Sequence, residues 1–399
     1  MHTFVWYSAI TRSQVNRGLP MVASIKKPQD TSAKLALLSQ DSRYDLACAC
    51  ATAPEEHRRR SKDNTWIYPV VLPNGGTTYL LKTLLSNACA NDCAYCPLRA
   101  DANAERCSLS PEELAREFFS YYNARKVSGL FLTSAVTGSP DATMERINRT
   151  AQILRQRQFK GYIHLKIIPG ASEASIRHCL SLASAVSLNI ETAGEKNFKH
   201  LSLCKDYLKD ILRPLQLISR LTAKGNAYEG VKQTTQFVVG ASTETDGDII
   251  RYSSKLYGEL SLNRVYFSAY QRGLGKSDLP GERASATPSD LLTREHRLYQ
   301  VDWLMRKYGF KGDEIPLNTD GNLSLDVDPK EMWARAHPEF FPVHVNRDSQ
   351  ERLLRVPGLG QTTVDRILNF RRSGRSLRSL EDIGSRTKLL QKAHHYVVF

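Results

Sequence analysis

Short apolar runs and amphipathic stretches alternate along most of this chain. Residues 66–72 read as a strand, Pro73-Asn-Gly-Gly76 as a tight turn, and 77–85 as the returning strand. Further on, Ser110-Pro-Glu-Glu113 forms a capping box with proline at the first helical position, opening a helix to about residue 125. Strands are then expected at 129–134, 162–168, 186–190, 234–239 and 264–269. Helices are expected at 141–157, 173–182, 205–224, 246–260 and 288–308. Six apolar strands spaced by helices predict a parallel sheet covered on its faces. Six βα units fall short of the eight that close a barrel, so the expected class is α/β, a partial (β/α)6 barrel.

The flanks differ in texture. Residues 1–63 read as an extension and lead-in, polar and irregular, with a short helix at 32–40. The barrel occupies 64–309. Residues 310–346, with Trp333, Pro338, Phe340, Phe341 and Pro342, read as an irregular covering segment, and 347–399 turn basic and helical. No apolar run is long enough to span a membrane. The opening residues lack the pattern of a signal peptide, and Met21 offers an alternative start. Eight cysteines in 399 residues without a secretion signal imply reduced thiols and a cytoplasmic setting.

Charge narrows the partners. Fifty-five Lys and Arg against 41 Asp and Glu give +14 and a pI near 9.4. The last 53 residues hold eleven basic and five acidic side chains, a net of +6. Such an excess favours polyanions by counterion release, which makes nucleic acid the first partner to consider.

The sharpest chemical signal is Cys89-Ala-Asn-Asp-Cys93-Ala-Tyr-Cys96, directly after the strand at 77–85. Closely spaced thiolates on one loop hold iron–sulfur clusters. Three ligands within eight residues wrap one face of a cubane and leave its fourth iron free to chelate a small molecule. The alternatives are a zinc site, with Cys107 as fourth ligand, and unrelated buried thiols.

This C-x3-C-x2-C loop after the first barrel strand, with Tyr95 before the third cysteine, resembles the radical S-adenosylmethionine (SAM) superfamily. The resemblance implies a [4Fe–4S] cluster on Cys89, Cys93 and Cys96, and SAM as cosubstrate. It also implies cleavage to a 5′-deoxyadenosyl radical and an electron donor such as flavodoxin or ferredoxin. It places the SAM amino group at the end of the second strand, here Leu132-Thr133-Ser134-Ala135. That segment departs from the usual glycine-rich, acidic form, so backbone carbonyls take the role. Asn189 and Glu191, on one strand face by period-2 spacing, would meet the ribose, against the reading of an ordinary strand end capping a helix. Lys166 would meet the methionine carboxylate, unless it is simply a solvated lysine, and Gly240 would lie beside adenine.

Near the carboxyl terminus, Glu351 to Leu368 looks like a helix-hairpin-helix. Leu353, Leu354 and Val356 form one apolar face, Val364, Ile367 and Leu368 its partner, and Pro357-Gly358-Leu359-Gly360 the turn. Amides at the turn and at Thr362 could chelate a phosphate without reading bases. Arg366, Arg371, Arg372, Arg375 and Arg378 add charge, and 380–384 suggests a degenerate second half. The plainer alternative is a helical pair used in self-association. Weaker candidates are Cys48 with Cys50, the carboxylates Asp326 and Asp328 (more simply a solvated turn), and the surface pair His394 and His395.

The combination resembles a family of radical SAM proteins assigned to DNA modification or repair, with a carboxyl-terminal helix-hairpin-helix. That resemblance implies DNA as a partner without sequence preference, and a uracil-DNA-glycosylase-like protein as an associate. Three readings follow: a radical SAM enzyme acting on DNA or RNA, one acting on a small molecule or peptide with the hairpin as an interface, and a DNA-binding protein with a structural cluster. No residue is singled out for the chemistry on the substrate.

Overall fold

The computed structural model describes residues 30–44, 59–60, 66–71, 75–384 and 388–399. In chain order, α1 (Thr31–Asp41) precedes β1 (Arg59–Arg60), β2 (Trp66–Val71) and β3 (Thr77–Leu84). Then come α2 (Pro111–Asn123), β4 (Gly129–Thr133), α3 (Pro140–Gln156), β5 (Tyr162–Lys166), α4 (Glu173–Leu182), β6 (Ala185–Ser187) and α5 (Glu195–Phe198). A π-helix (Tyr207–Leu212) runs directly into α6 (Arg213–Thr222). It is followed by β7 (Lys232–Val239), α7 (Asp246–Gly258), β8 (Arg264–Ala269), α8 (Pro280–Arg283) and α9 (Pro288–Tyr308). The strands form one sheet in the order β1 to β8. β3 to β8 are parallel neighbours throughout, and β2 and β1 extend the β3 edge antiparallel. The six parallel strands form the open, partial barrel that the spacing of apolar runs predicts.

The strand pleat sorts side chains between two environments. Leu130, Leu132, Ile163, Leu165, Phe237, Val265 and Phe267 are buried in the main core with residues of the covering helices. On the alternate positions lie Lys82, Thr133, His164, Lys166, Ser187, Thr234 and Gln236, buried yet polar. α2 shows how a covering helix forms. The Ser110 hydroxyl accepts from the Glu113 amide, the Glu113 carboxylate accepts from the Ser110 amide, and Pro111 opens the first turn. Leu114, Ala115, Phe118 and Tyr121 then fall on one face and are buried.

Three expectations are corrected. The strand expected at 186–190 is regular only to Ser187, and the chain rejoins β7 at Glu191, left-handed (φ 66°), through a single bridge to Phe237. The helix expected over 205–224 begins as a π-helix. Residues 310–346 are not wholly irregular: α10 (Pro329–Ala336) forms there, capped by the Asp328 side chain. The short helix expected at 32–40 forms as α1, and its Leu35 and Leu38 join the main core.

A second hydrophobic core, from Val343 to Val397, holds the carboxyl-terminal unit. It comprises β9 (Val343–His344), α11 (Gln350–Arg355), α12 (Gln361–Arg372), α13 (Lys388–Ala393) and β10 (Val397–Val398). Leu353, Leu354 and Val356 share it with Val364 and Ile367. Arg355 pins this unit to the barrel. Its guanidinium lies 4.3 Å from the Phe310 ring and 4.6 Å from the Trp333 ring, and pairs with Glu314 at 3.1 Å. Among the described residues, no helix is long and apolar enough to cross a membrane.

Candidate active site

The loop from Asn87 to Arg106 follows β3 at the carboxyl end of the sheet. It has little regular structure of its own, so its carbonyls need other donors. Arg106 supplies four of them, donating to the carbonyls of Asn87 (2.6 Å), Leu98 (2.9 Å), Arg99 (2.8 Å) and Ala102 (2.8 Å). Ala90 donates to the Val136 carbonyl at 2.8 Å, and Ala94 to that of Leu201 at 2.7 Å. The loop is thereby tied to the ends of two later βα units.

Cys89, Cys93 and Cys96 all line one cavity of about 160 Å³. Each sulfur accepts one N–H, from the Asn91 amide (3.4 Å), the Lys205 ammonium (2.9 Å) and the Leu98 amide (3.4 Å) respectively. Burial, reinforced by the neighbouring sulfur of Cys93, pushes the Cys96 thiol up to about 12; burial also raises that of Cys93, against the pull of Lys205. Buried thiolates at such a site call for cationic partners, and three of them suit iron. Among the described residues, no group of three or more His, Cys, Asp and Glu side chains is placed to hold a single metal ion. Cys107 does not supply the fourth ligand of a zinc site: its thiol faces the Lys34 carbonyl on α1, at 3.8 Å. Three thiols from one loop lining one cavity suit the donor chemistry of an iron–sulfur cluster, in which each sulfur meets its own iron.

The same cavity gathers nearly all the residues that the sequence nominated. Tyr95, Thr133, Ser134, Lys166, Asn189 and Glu191 line it with the cysteines. Lys166 is only 8% exposed, so it is not a solvated lysine. Asn189 and Glu191 meet there for a different reason from the one expected. Both lie past the end of β6, and the left-handed turn at Glu191 brings it back to β7, where its amide donates to the Gln236 carbonyl at 3.0 Å. The Tyr95 hydroxyl is held well above its ordinary value by burial and by its bond to Glu191. Gly240 stands apart. Its amide donates to Glu244 at 3.2 Å, and it is not among the lining residues; Gln236 and Val238 represent β7 instead.

Four residues escaped sequence reading. Besides Arg106 and Lys205, Asp92 inside the cysteine motif accepts from the Ser202 hydroxyl (2.6 Å), the Leu203 and Cys204 amides (2.9 and 3.2 Å) and the Cys204 thiol (2.9 Å). Burial opposes its charge, yet these donors hold its carboxyl down at about 2. Asp92 thus anchors the segment that delivers Lys205 to Cys93. Gln236 is the fourth. Only the middle position of Asp92 within the motif offered a local signal.

The hairpin turn faces inward. Gly358 (φ 88°) packs against α13, where a Cβ would meet the Leu389 carbonyl at 2.1 Å. Pro357 and Leu359 are buried, the Leu359 carbonyl accepts from Lys330 at 2.6 Å, and the Gln361 amide donates to the Tyr308 hydroxyl at 3.2 Å. Arg371 donates to the carbonyls of Asp348 (2.7 Å) and Arg347 (3.1 Å). Of the nominated contact residues, Gly360 is partly covered beside Tyr308, and Thr362, Arg366 and Arg372 remain exposed. Arg375 and Arg378 are exposed as well. The turn borders a groove of about 530 Å³ shared with Arg264, Trp303, Tyr308 and Lys392. Asp328 serves as the α10 cap and pairs with Lys392 at 2.9 Å, and His394 lies 3.6 Å from Glu381. Cys48 and Cys50 lie outside the described residues.

No known family profile matches the chain, and no curated protein matches it. Solved structures do. The [FeFe]-hydrogenase maturase HydG is 14% identical with a TM-score of 0.43, over 56% of this chain and 49% of that one. Methylornithine synthase (PylB) is 13% identical with a TM-score of 0.43, over 56% and 60%. HydG from Carboxydothermus hydrogenoformans is 16% identical with a TM-score of 0.41, over 55% and 50%. The match spans about half the length of the HydG chains and three fifths of PylB. At these values the functional reading rests on the cavity's own side chains.

Proposed function

We propose that this protein is a radical SAM enzyme acting on nucleic acid, with DNA as the favoured substrate. The observation that carries the reading is that three sulfurs from one eight-residue loop open on a cavity shared with Lys166, Asn189 and Glu191. Cys89, Cys93 and Cys96 would hold a [4Fe–4S] cluster, which when reduced supplies the electron that splits SAM into methionine and a 5′-deoxyadenosyl radical. Lys166 offers a cation for the methionine carboxylate, and Asn189 and Glu191 offer an amide and a carboxylate for ribose hydroxyls. Thr133 and Ser134 offer hydroxyls and carbonyls for the amino group. Tyr95 and Val238 shield the cavity from water.

The net charge of +14 and the exposed Arg366, Arg372, Arg375 and Arg378 support a polyanionic substrate. A second reading, with a small molecule or peptide as substrate and the hairpin as an interface, is favoured by the burial of Pro357 and Leu359 and by the packing of Gly358 on α13.

Anaerobic reconstitution, iron counting and 5′-deoxyadenosine measurement with dithionite test the reading, with and without DNA and beside Cys93→Ala. About four irons per chain and cleavage stimulated by DNA are expected. Cleavage indifferent to DNA would favour the second reading, and an intact cluster that never cleaves SAM would sink both. Replacing Arg372, Arg375 and Arg378 by Ser is the cleaner probe of DNA contact, because those side chains are exposed whereas Gly358 is packed.

A further inference from the structure

The three sulfurs of the cysteine loop do not share one kind of donor. Cys89 and Cys96 accept from backbone amides two residues further on, each at 3.4 Å, which the loop itself provides. Cys93 accepts instead from the Lys205 ammonium at 2.9 Å, a charged donor brought from 112 positions away. Hydrogen bonds with a charged partner are shorter and roughly twice as strong as neutral ones. The lysine is held on both sides. Before it, Asp92 accepts from Ser202, Leu203 and Cys204, and the Leu201 carbonyl accepts from Ala94 at 2.7 Å. After it, the Asp206 side chain caps the π-helix by accepting from the Lys209 amide at 2.7 Å. A π-helical turn is a rare element that collects at functional sites. Cys93 is only 8% exposed, so little water screens the pair. Burial works against the ammonium, but Cys93 and Glu191 outweigh it and hold its value above the ordinary one.

We propose that Lys205 sets the reduction potential of the cluster, raising it through the hydrogen bond to Cys93 Sγ. The proposal rests on the cluster reading above and adds the residue that governs electron entry. Reduction takes one electron from a flavodoxin- or ferredoxin-like donor, with no bond made and no proton taken up, so the thiolate-bound core becomes one charge more negative. A cation fixed beside a ligand sulfur favours that state over the oxidised one, because hydrogen bonds to the sulfurs and local charge tune such clusters. Glu191, in the same cavity, disfavours it, and Lys205 offsets that carboxylate. Asp92 acts at one remove, by fixing the segment that carries the lysine.

The test titrates full-length reconstituted protein with dithionite in the presence of redox mediators and without SAM, counting the reduced cluster by its EPR signal. Lys205→Met should load iron like the wild type. At the potential where the wild type is half reduced, its ratio of reduced to oxidised cluster should nevertheless fall about tenfold, a shift of about 59 mV to lower potential for one electron. Lys205→Arg, which keeps a cation and a donor, should stay close to the wild type. An unmoved midpoint in iron-loaded Lys205→Met overturns the proposal. If that variant fails to load iron, Lys205→Gln decides by the same titration: a lowered midpoint supports the proposal and an unmoved one overturns it. Loss of iron there as well makes the lysine a structural residue and overturns it too. Calorimetric binding of S-adenosylhomocysteine separates the remaining role, since weakened binding with an unmoved midpoint makes Lys205 a cosubstrate contact instead. A wild type that binds no iron sinks the cluster reading itself, which an unmoved midpoint alone leaves standing.

Discussion

Arg106 meets four carbonyls of the cysteine loop with two guanidinium nitrogens. A lysine has neither the reach nor the fork to do so. Arg106→Ala leaves those acceptors unmet at about 1 kcal/mol each, so a loss of about 2–4 kcal/mol is expected. Urea unfolding and iron content after reconstitution check this; a variant that loads iron like the wild type and unfolds at the same urea concentration would refute it. Lys330 makes a separate prediction. Burial pushes its ammonium down to about 7 from an ordinary 10.5, against the pull of Asp328. With the folded value below the unfolded one, the unfolded chain binds more protons between those limits, so stability from this group rises with pH across about 7 to 10.5. Wild type minus Lys330→Met, compared by thermal melting at pH 7 and pH 9.5, should therefore shift in favour of the wild type at the higher pH. No change in that difference would show the lysine to be solvated. The reach of these contacts explains what the sequence hid. The cysteine motif is local and reads off its spacing, but Lys205 meets Cys93 across 112 positions, and no short pattern records that.

Elements were legible in proportion to their burial. β4 and β8 carry short apolar runs, β5 alternates apolar and polar residues, β7 ends in Phe237-Val238-Val239, and the capping box of α2 announces its start. β6 was read too long because Leu188 and Ile190 are buried like strand residues, although the chain has already left the ladder toward Glu191. α10 escaped because eight residues show only two turns of pattern, with Trp333 and Ala334 as its buried apolar side chains. The hairpin glycines were recognised as a turn, but their environment is tertiary. Gly358→Ala puts a Cβ against a backbone carbonyl at a positive φ, and should destabilise the carboxyl-terminal unit by about 1–3 kcal/mol. Gly360→Ala, in extended backbone with only the Tyr308 hydroxyl at 3.4 Å, should cost less than about 1 kcal/mol. Urea midpoints of the two variants check the contrast; equal losses would mean that α13 yields.

At the scale of the whole molecule, Arg264, the first residue of β8, borders the groove beside the hairpin turn, while Ala269 at the far end lines a small pocket together with Cys96. Five residue steps of strand separate them, about 17 Å. On the proposed nucleic-acid reading, grip and chemistry would be held apart by a rigid strut, and the protein would work as a gauge. A duplex held at the hairpin must continue beyond about five base pairs before any part of it comes level with the cysteine loop. DNA-stimulated SAM cleavage should accordingly switch on with length, absent for fragments of that size and present for ones several times longer, at equal total phosphate. Stimulation that tracks phosphate concentration regardless of fragment length would mean that the strut measures nothing.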